Sequence, residues 1–169
     1  MIFEILKRRW VKRQINKTIN NRCISYSGNL NNVLLLCRID EVDPEEIAME
    51  IAKGLGIKRS DVTLVKYDHE KKTQEDPAAI ILNKKSIKWL GGVENTALME
   101  QLSKDYDLQI NYYEKNRFEL DLAAGSATSG IKVGLNNEIN LYNDVTIDLK
   151  RDQVNSFVNE LKKYLNVIQ

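Results

Sequence analysis

The sequence predicts a three-layer α/β domain on a mainly parallel sheet of five or six strands. Three observations carry this. Apolar runs of strand length alternate along the chain with helical stretches of roughly 10–14 residues, the pattern of β-α-β units joined by right-handed crossovers. The first run, Val33-Leu34-Leu35-Leu36-Cys37, is continuously rather than alternately apolar, as a strand covered on both faces must be. The chain of 169 residues, 43% apolar and 29% charged, has the make-up of one globular domain, able to bury about 70% of its unfolded surface.

In chain order, residues 1–20 contain no Gly or Pro and read as a helix. They enter a polar break at Asn20-Asn21-Arg22, and the turn formers from Ser25 to Asn32 then separate a basic N-terminal arm, 1–22, from a body, 23–169. Val33 to Ile39 is the first strand. Asp43-Pro44-Glu45-Glu46 starts a helix: Asp43 can accept amide hydrogens as N-cap, Pro44 fits the first helical position, and Glu46 can close a capping box. Its buried stripe is Ile47, Ile51, Ala52 and Leu55, and Gly54 or Gly56 can end it. Val62–Val65 gives a second strand, Asp68 to Pro77 a polar loop, and Ala79–Leu82 a third strand. Trp89-Leu90-Gly91-Gly92 turns into a helix whose apolar face is Leu98, Met99, Leu102 and Tyr106.

Leu108–Tyr113 is a fourth strand. Arg117 to Thr128 alternates at Phe118, Leu120 and Leu122, yet its alanines and its place between strands predict a helix. Ile131–Leu135 is a fifth strand, and Val145, Ile147 and Leu149 alternate as a sixth. Val154, Phe157, Val158, Leu161, Tyr164, Leu165 and Ile168 then recur at helical spacing, the best amphipathic pattern in the chain. The whole reads as a Rossmann-like sheet with a basic helix in front, and ligands of such sheets bind beyond the carboxyl ends of the strands.

Several chemistries are disfavoured. Ile39-Asp40-Glu41-Val42-Asp43-Pro44 stands where a dinucleotide site wants GxGxxG, and its carboxylates would repel a pyrophosphate. No GxxxxGK[ST] occurs. Two cysteines, Cys23 and Cys37, and one histidine, His69, are too few for a zinc site; both thiols are expected reduced, Cys37 as core filler. Without a signal-peptide pattern or an apolar stretch near the ~20 residues that span a bilayer, a cytoplasmic setting is expected. Gly125-Ser126-Ala127-Thr128-Ser129-Gly130 could admit a phosphate, but reads as a helix ending on Gly130. Asp68-His69-Glu70 reads as an exposed loop. Asp105 with Asp107, and Glu119 with Asp121, read as surface carboxylates rather than an acid/base pair.

The charge distribution points elsewhere. Net charge is +1, yet residues 1–22 carry seven basic residues against Glu4 alone, a net +6, and the body carries −5. Lys7, Arg8, Arg9, Lys12, Arg13 and Lys17 spread nearly all round a helix, whereas a membrane-surface helix would segregate them from its apolar face. Non-directional Lys/Arg clusters of this kind suit phosphate backbones. Val11, Ile15 and Ile19 line one side and could dock on the body.

Lys84-Lys85-Ser86-Ile87-Lys88-Trp89-Leu90-Gly91, Tyr106 to Asn111, Ile131-Lys132-Val133-Gly134 and Val145 to Leu149 resemble a family of small bacterial proteins known as a domain of unknown function. The resemblance spans most of the chain and implies an α/β fold and a Lys-rich first helix, with no activity attached. Strand, helix and Ile131-Lys132-Val133-Gly134 also resemble, locally, the N-terminal half of heptosyltransferase-like glycosyltransferases. Those enzymes hold a sugar nucleotide between two such halves; this chain has the length of one.

The leading expectation is therefore a non-catalytic binding or accessory protein, without metal or cofactor, whose six arm cations contact RNA, a nucleoprotein or another acidic assembly. The alternatives are a nucleotide or sugar-nucleotide site at the strand ends near Asp40, Asn111 and Ser126, and a membrane-surface protein.

Overall fold

The first strand, β1 (Val33–Arg38), has all six side chains buried, which is what its unbroken apolar run requires of a strand packed on both sides. The structure, a computed structural model, describes residues 22–69, 80–87, 95–135 and 142–168, with isolated positions among 1–21. Six strands form one sheet: β1, β2 (Val62–Tyr67), β3 (Ile80–Leu82), β4 (Asp105–Tyr112), β5 (Thr128–Leu135) and β6 (Val145–Ile147). Every neighbouring pair is parallel. Their order is β3-β2-β1-β4-β5-β6, so the sheet grows outward in both directions from β1 and β4. The described residues also form four α-helices, three of them between strands and the last after β6: α1 (Pro44–Leu55), α2 (Thr96–Leu102), α3 (Phe118–Ser126) and α4 (Val154–Val167).

Side-chain alternation along β1 sorts the layers. Val33, Leu35 and Cys37 pack with Ile47 and Ile51 of α1 and with Phe157, Leu161 and Leu165 of α4. Leu34 and Leu36 face the other way, onto Leu98 and Leu102 of α2 and Leu120 and Ala123 of α3. The three predicted layers are thus in place, with all strands parallel.

Helix α1 starts where the sequence placed it. Asp43 Oδ1 accepts from the amides of Glu45 (3.0 Å) and Glu46 (3.3 Å), and Pro44 occupies the first turn. It ends at Gly56, whose φ of 72° only glycine adopts at low cost. The amides of Gly56 and Ile57 turn back to the carbonyls of Lys53 and Ala52. Gly54 serves packing instead: a Cβ there would stand 2.2 Å from Val158 Cγ1, because α4 lies directly on this face. Gly54→Val should therefore cost about 1–3 kcal/mol by overpacking. Urea denaturation would show it, and Val158→Ala in the same chain should restore much of the loss.

Several boundaries differ from expectation. Tyr106 belongs to β4, not to the preceding helix; α2 stops at Leu102, and the Tyr106 hydroxyl returns to Gln101 O at 3.0 Å. Met99, placed on the buried stripe, is exposed. The glycine-flanked segment does not end a helix at Gly130: α3 finishes at Ser126, and Thr128 already pairs with β4. Tyr164 and Ile168, at the margin of the α4 stripe, are exposed. Leu149 lies past β6 but still packs on the core. Cys23 is exposed, Cys37 buried, and both are free. No helix among the described residues is long and apolar enough to cross a membrane. The expected N-terminal helix, the Trp89–Gly92 turn and most of the polar loop after His69 lie outside the described residues.

Candidate functional site

In this strand order the switch point falls between β1 and β4, whose following connections leave in opposite directions, and the carboxyl ends of those strands are where open parallel sheets hold ligands. Arg38 ends β1 there with its side chain 2% exposed. Its Nε and Nη2 donate to the two oxygens of Asp40 (2.9 and 2.6 Å), Nη1 donates to Lys115 O (2.9 Å), and Glu41 Oε1 stands 3.2 Å from Nε. The guanidinium also lies over the Tyr67 ring, 5.4 Å from its centroid. Arg38 holds the Asp40 carboxyl below the usual carboxylate range by hydrogen bonding to it.

Glu41 completes the closure. Its carboxylate accepts the amides of Glu114 (2.7 Å) and Lys115 (3.0 Å) in the turn after β4. Glu114 in turn accepts the Arg151 amide, and the Tyr112 hydroxyl donates to Arg151 O. The turns after β1, β4 and β6 are thereby tied together. The backbone donors that a phosphate would seek beside β4 are bonded to this chain's own carboxylate, and the arginine that would neutralise it is bonded to both oxygens of Asp40 and to Lys115 O.

Glu119 and Asp121, expected at the surface, are structural. Glu119 is buried and accepts the Tyr67 hydroxyl at 3.3 Å; Asp121 accepts the Tyr142 hydroxyl at 2.8 Å. The reason is that α3 is apolar on nearly every side and packs down on the sheet, carrying its first-turn carboxylates inward. Burial, with the Glu119 charge, pushes the Tyr67 phenol up to about 12. His69 is exposed, as expected, while its neighbour Asp68 is buried.

A second polar group lies between the sheet and the end of α3. Gln109 Nε2 donates to Asn111 Oδ1 (2.9 Å) and Ala124 O (3.0 Å), and Asn111 Nδ2 donates to Asn143 Oδ1 (2.6 Å). Lys132 Nζ donates to Ala124 O and Ala127 O, both at 2.7 Å. A helix leaves its last carbonyls without intrahelical partners, and these side chains supply the donors. Burial, reinforced by Arg22, lowers the Lys132 pKa to about 7, against the pull of Asp144. Neither Arg38 nor Lys132 was singled out from the sequence. The available signal was a polar side chain inside an otherwise apolar strand: Arg38 in β1, Gln109 and Asn111 in β4, and Lys132 in β5.

The opposite edge of the sheet receives the N-terminal segment. Arg22 reaches Ser129 O and Asp144, and the Ser25 amide donates to Gly130 O at 3.1 Å. Beside this strap is an open cavity of about 680 Å³ lined by Arg22, Cys23, Asp105, Asp107, Thr128 and Ser129. Asp107 is committed to the amides of Asn31 and Asn32.

The three residues of the expected strand-end cleft are not brought together. Asp40 follows β1 at the carboxyl edge, Ser126 ends α3 at the opposite edge, and Asn111 is buried between them in side-chain bonds. Of the arm cations, Arg9, Lys12 and Arg13 are exposed; Lys7, Arg8 and Lys17 lie outside the described residues. Among the described residues no three His, Cys, Asp or Glu side chains are grouped to hold a metal ion.

One family model, described as a family of unknown function, DUF6913, matches residues 7–168. No curated protein and no solved structure matches the chain.

Proposed function

We propose that this chain, which belongs to DUF6913, a family of unknown function, is a non-catalytic cytoplasmic binding protein that attaches to RNA or an RNA-containing particle through its basic N-terminal arm. One observation carries the reading: a net +6 is concentrated in residues 1–22 against −5 in the rest. Lys and Arg clusters without directional placement engage phosphate backbones by counterion release. Arg9, Lys12 and Arg13 are exposed and free to serve in this way, and the acidic body would be held off the same phosphates. Support also comes from the carboxyl edge at β1 and β4, where Glu41 accepts the amides of Glu114 and Lys115 and Arg38 gives its own N–H groups to Asp40 and Lys115 O, the donors that a nucleotide would need.

Density-gradient fractionation of native lysate at low and high salt tests the proposal. The full chain should travel with nucleoprotein particles at low salt and return to the top of the gradient at high salt. Replacing Arg9, Lys12 and Arg13 together by glutamine should abolish the low-salt association and leave the melting temperature of the body unchanged. A chain that stays at the top at both salts overturns the reading and turns attention to small ligands of the carboxyl edge.

A further inference from the structure

We infer that Arg22, although it belongs to the basic cluster, is not an RNA contact but the pin that sets where the arm leaves the body: a positioning residue for the interaction proposed above, on which this inference rests. An arginine that binds phosphate must have N–H groups to give. Four of the five on Arg22 are already given. Nε and Nη2 donate to Ser129 O at 3.2 and 3.0 Å, Nη1 donates to Asp144 Oδ1 at 2.8 Å, and Nη2 lies 2.7 Å from Asp144 Oδ2. The side chain is only 12% exposed, unlike those of Arg9, Lys12 and Arg13.

The acceptor is itself held. Asp144 Oδ2 takes the Lys132 amide at 2.6 Å, and the Asp144 amide donates to Lys132 O at 2.8 Å, so Arg22 is coupled through Asp144 to β5. Three residues further on, the chain is fastened again by the Ser25 amide on Gly130 O. That crossing needs the glycine, since a Cβ at 130 would stand 2.1 Å from Ser25 O. Two fastenings to consecutive residues of β5, Ser129 and Gly130, fix the direction of the strap as well as its position. An arm leaving a fixed strap meets its partner with part of its orientational freedom already removed, which raises affinity without adding a contact.

Phosphate contacts and positioning residues separate in the salt dependence of binding, because each phosphate neutralised on a single strand contributes about −0.7 to the slope of log K against log salt. The experiment uses the full-length chain and a fluorescent 20-nucleotide oligouridylate, with Kd measured over a salt series. Arg13→Gln, which removes a phosphate contact, should weaken binding and flatten the slope by about 0.7. Arg22→Gln and Asp144→Asn should each raise Kd by about fivefold with the slope unchanged. The second variant leaves every arm charge in place, so a contact role for Arg22 predicts no effect from it.

The inference is overturned if Arg22→Gln flattens the slope as Arg13→Gln does, or if Arg22→Gln and Asp144→Asn leave Kd unaltered. Melting curves accompany each variant. Should either melt below the assay temperature, Arg22→Lys decides: it keeps the charge but loses the forked donor geometry, so the pin predicts a raised Kd and a phosphate contact an unchanged one. If the unsubstituted chain shows no salt-dependent binding, the proposed function itself fails, whatever the variants do.

Discussion

Replacing Lys132 by methionine should abolish the rise in stability that this lysine is expected to give the unsubstituted chain between pH 7 and pH 10. Lys132 is 2% exposed and its amine sits among the carbonyls of Ala124 and Ala127, with Arg22 nearby. Folding lowers its pKa to about 7, while in the unfolded chain it titrates near 10.4. Below pH 7 both states carry the proton, and the cost of a buried charge falls in full on the folded state. Between the two values the unfolded chain holds about one more proton, so unfolding free energy increases with pH. Across the window the gain is on the order of 4 kcal/mol. Urea denaturation at one-unit steps from pH 6 to pH 10 would show it as a midpoint that is flat below about pH 7 and climbs above it. In Lys132→Met the climb should vanish, since Met has no proton to exchange. Equal slopes in the two chains would mean that Lys132 is solvated and charged throughout.

Arg38→Ala should be the most damaging substitution at the carboxyl edge, costing about 3–5 kcal/mol. The cause is not the loss of an attraction alone. Glu41, with its side chain 1% exposed, would stay buried without its counter-charge, and Lys115 O and Asp40 would lose their donor. The Tyr67 ring would lose the guanidinium over its face. Because Glu41 also binds the amides of Glu114 and Lys115, the turn after β4 would loosen with it. The double variant Arg38→Met, Glu41→Gln should recover more than half of the loss, since removing both charges removes the unpaired one. A cost for Arg38→Ala below about 1 kcal/mol, the range of exposed ion pairs, would show that this cluster is solvated rather than closed.

The fold was largely legible because its signals are local. A continuous apolar run requires burial on both faces, and β1 has it; Asp43-Pro44 can do little but start a helix, and α1 starts there. What escaped was decided by partners distant in the chain. Tyr106 fits a helical stripe by spacing, but β4 claims it through pairing with β5. Glu119 looks like any charged residue until Tyr67, 52 residues away, supplies its hydrogen bond. Asp40, Asn111 and Ser126 were grouped by their positions at element ends, yet Ser126 ends a helix antiparallel to the strands and so falls at the far edge. Arg38 and Lys132 gave only a hint, a polar residue where an apolar strand has none to spare, and no single sequence says whose carbonyl such a residue will meet. The basic arm was plain from composition; that Arg22 is spent on Asp144 was not.

The pairing of β1 with β4 also has a consequence in time. Every other neighbouring pair in the sheet joins strands consecutive in the chain, but Val33 must wait for Leu108, 75 residues later. At the ~5–20 residues per second of synthesis, that is roughly 4–15 s during which a nascent β1 has one flank paired and the other bare. The exposed flank belongs to Val-Leu-Leu-Leu-Cys-Arg, the most adhesive segment of the chain. A chaperone that shields short apolar strands at the ribosome should therefore matter more to the yield of this protein than to its final stability. A circular permutation that starts at β4 would have that strand made before β1, so that β1 finds both its neighbouring flanks supplied sooner, and should lessen that dependence.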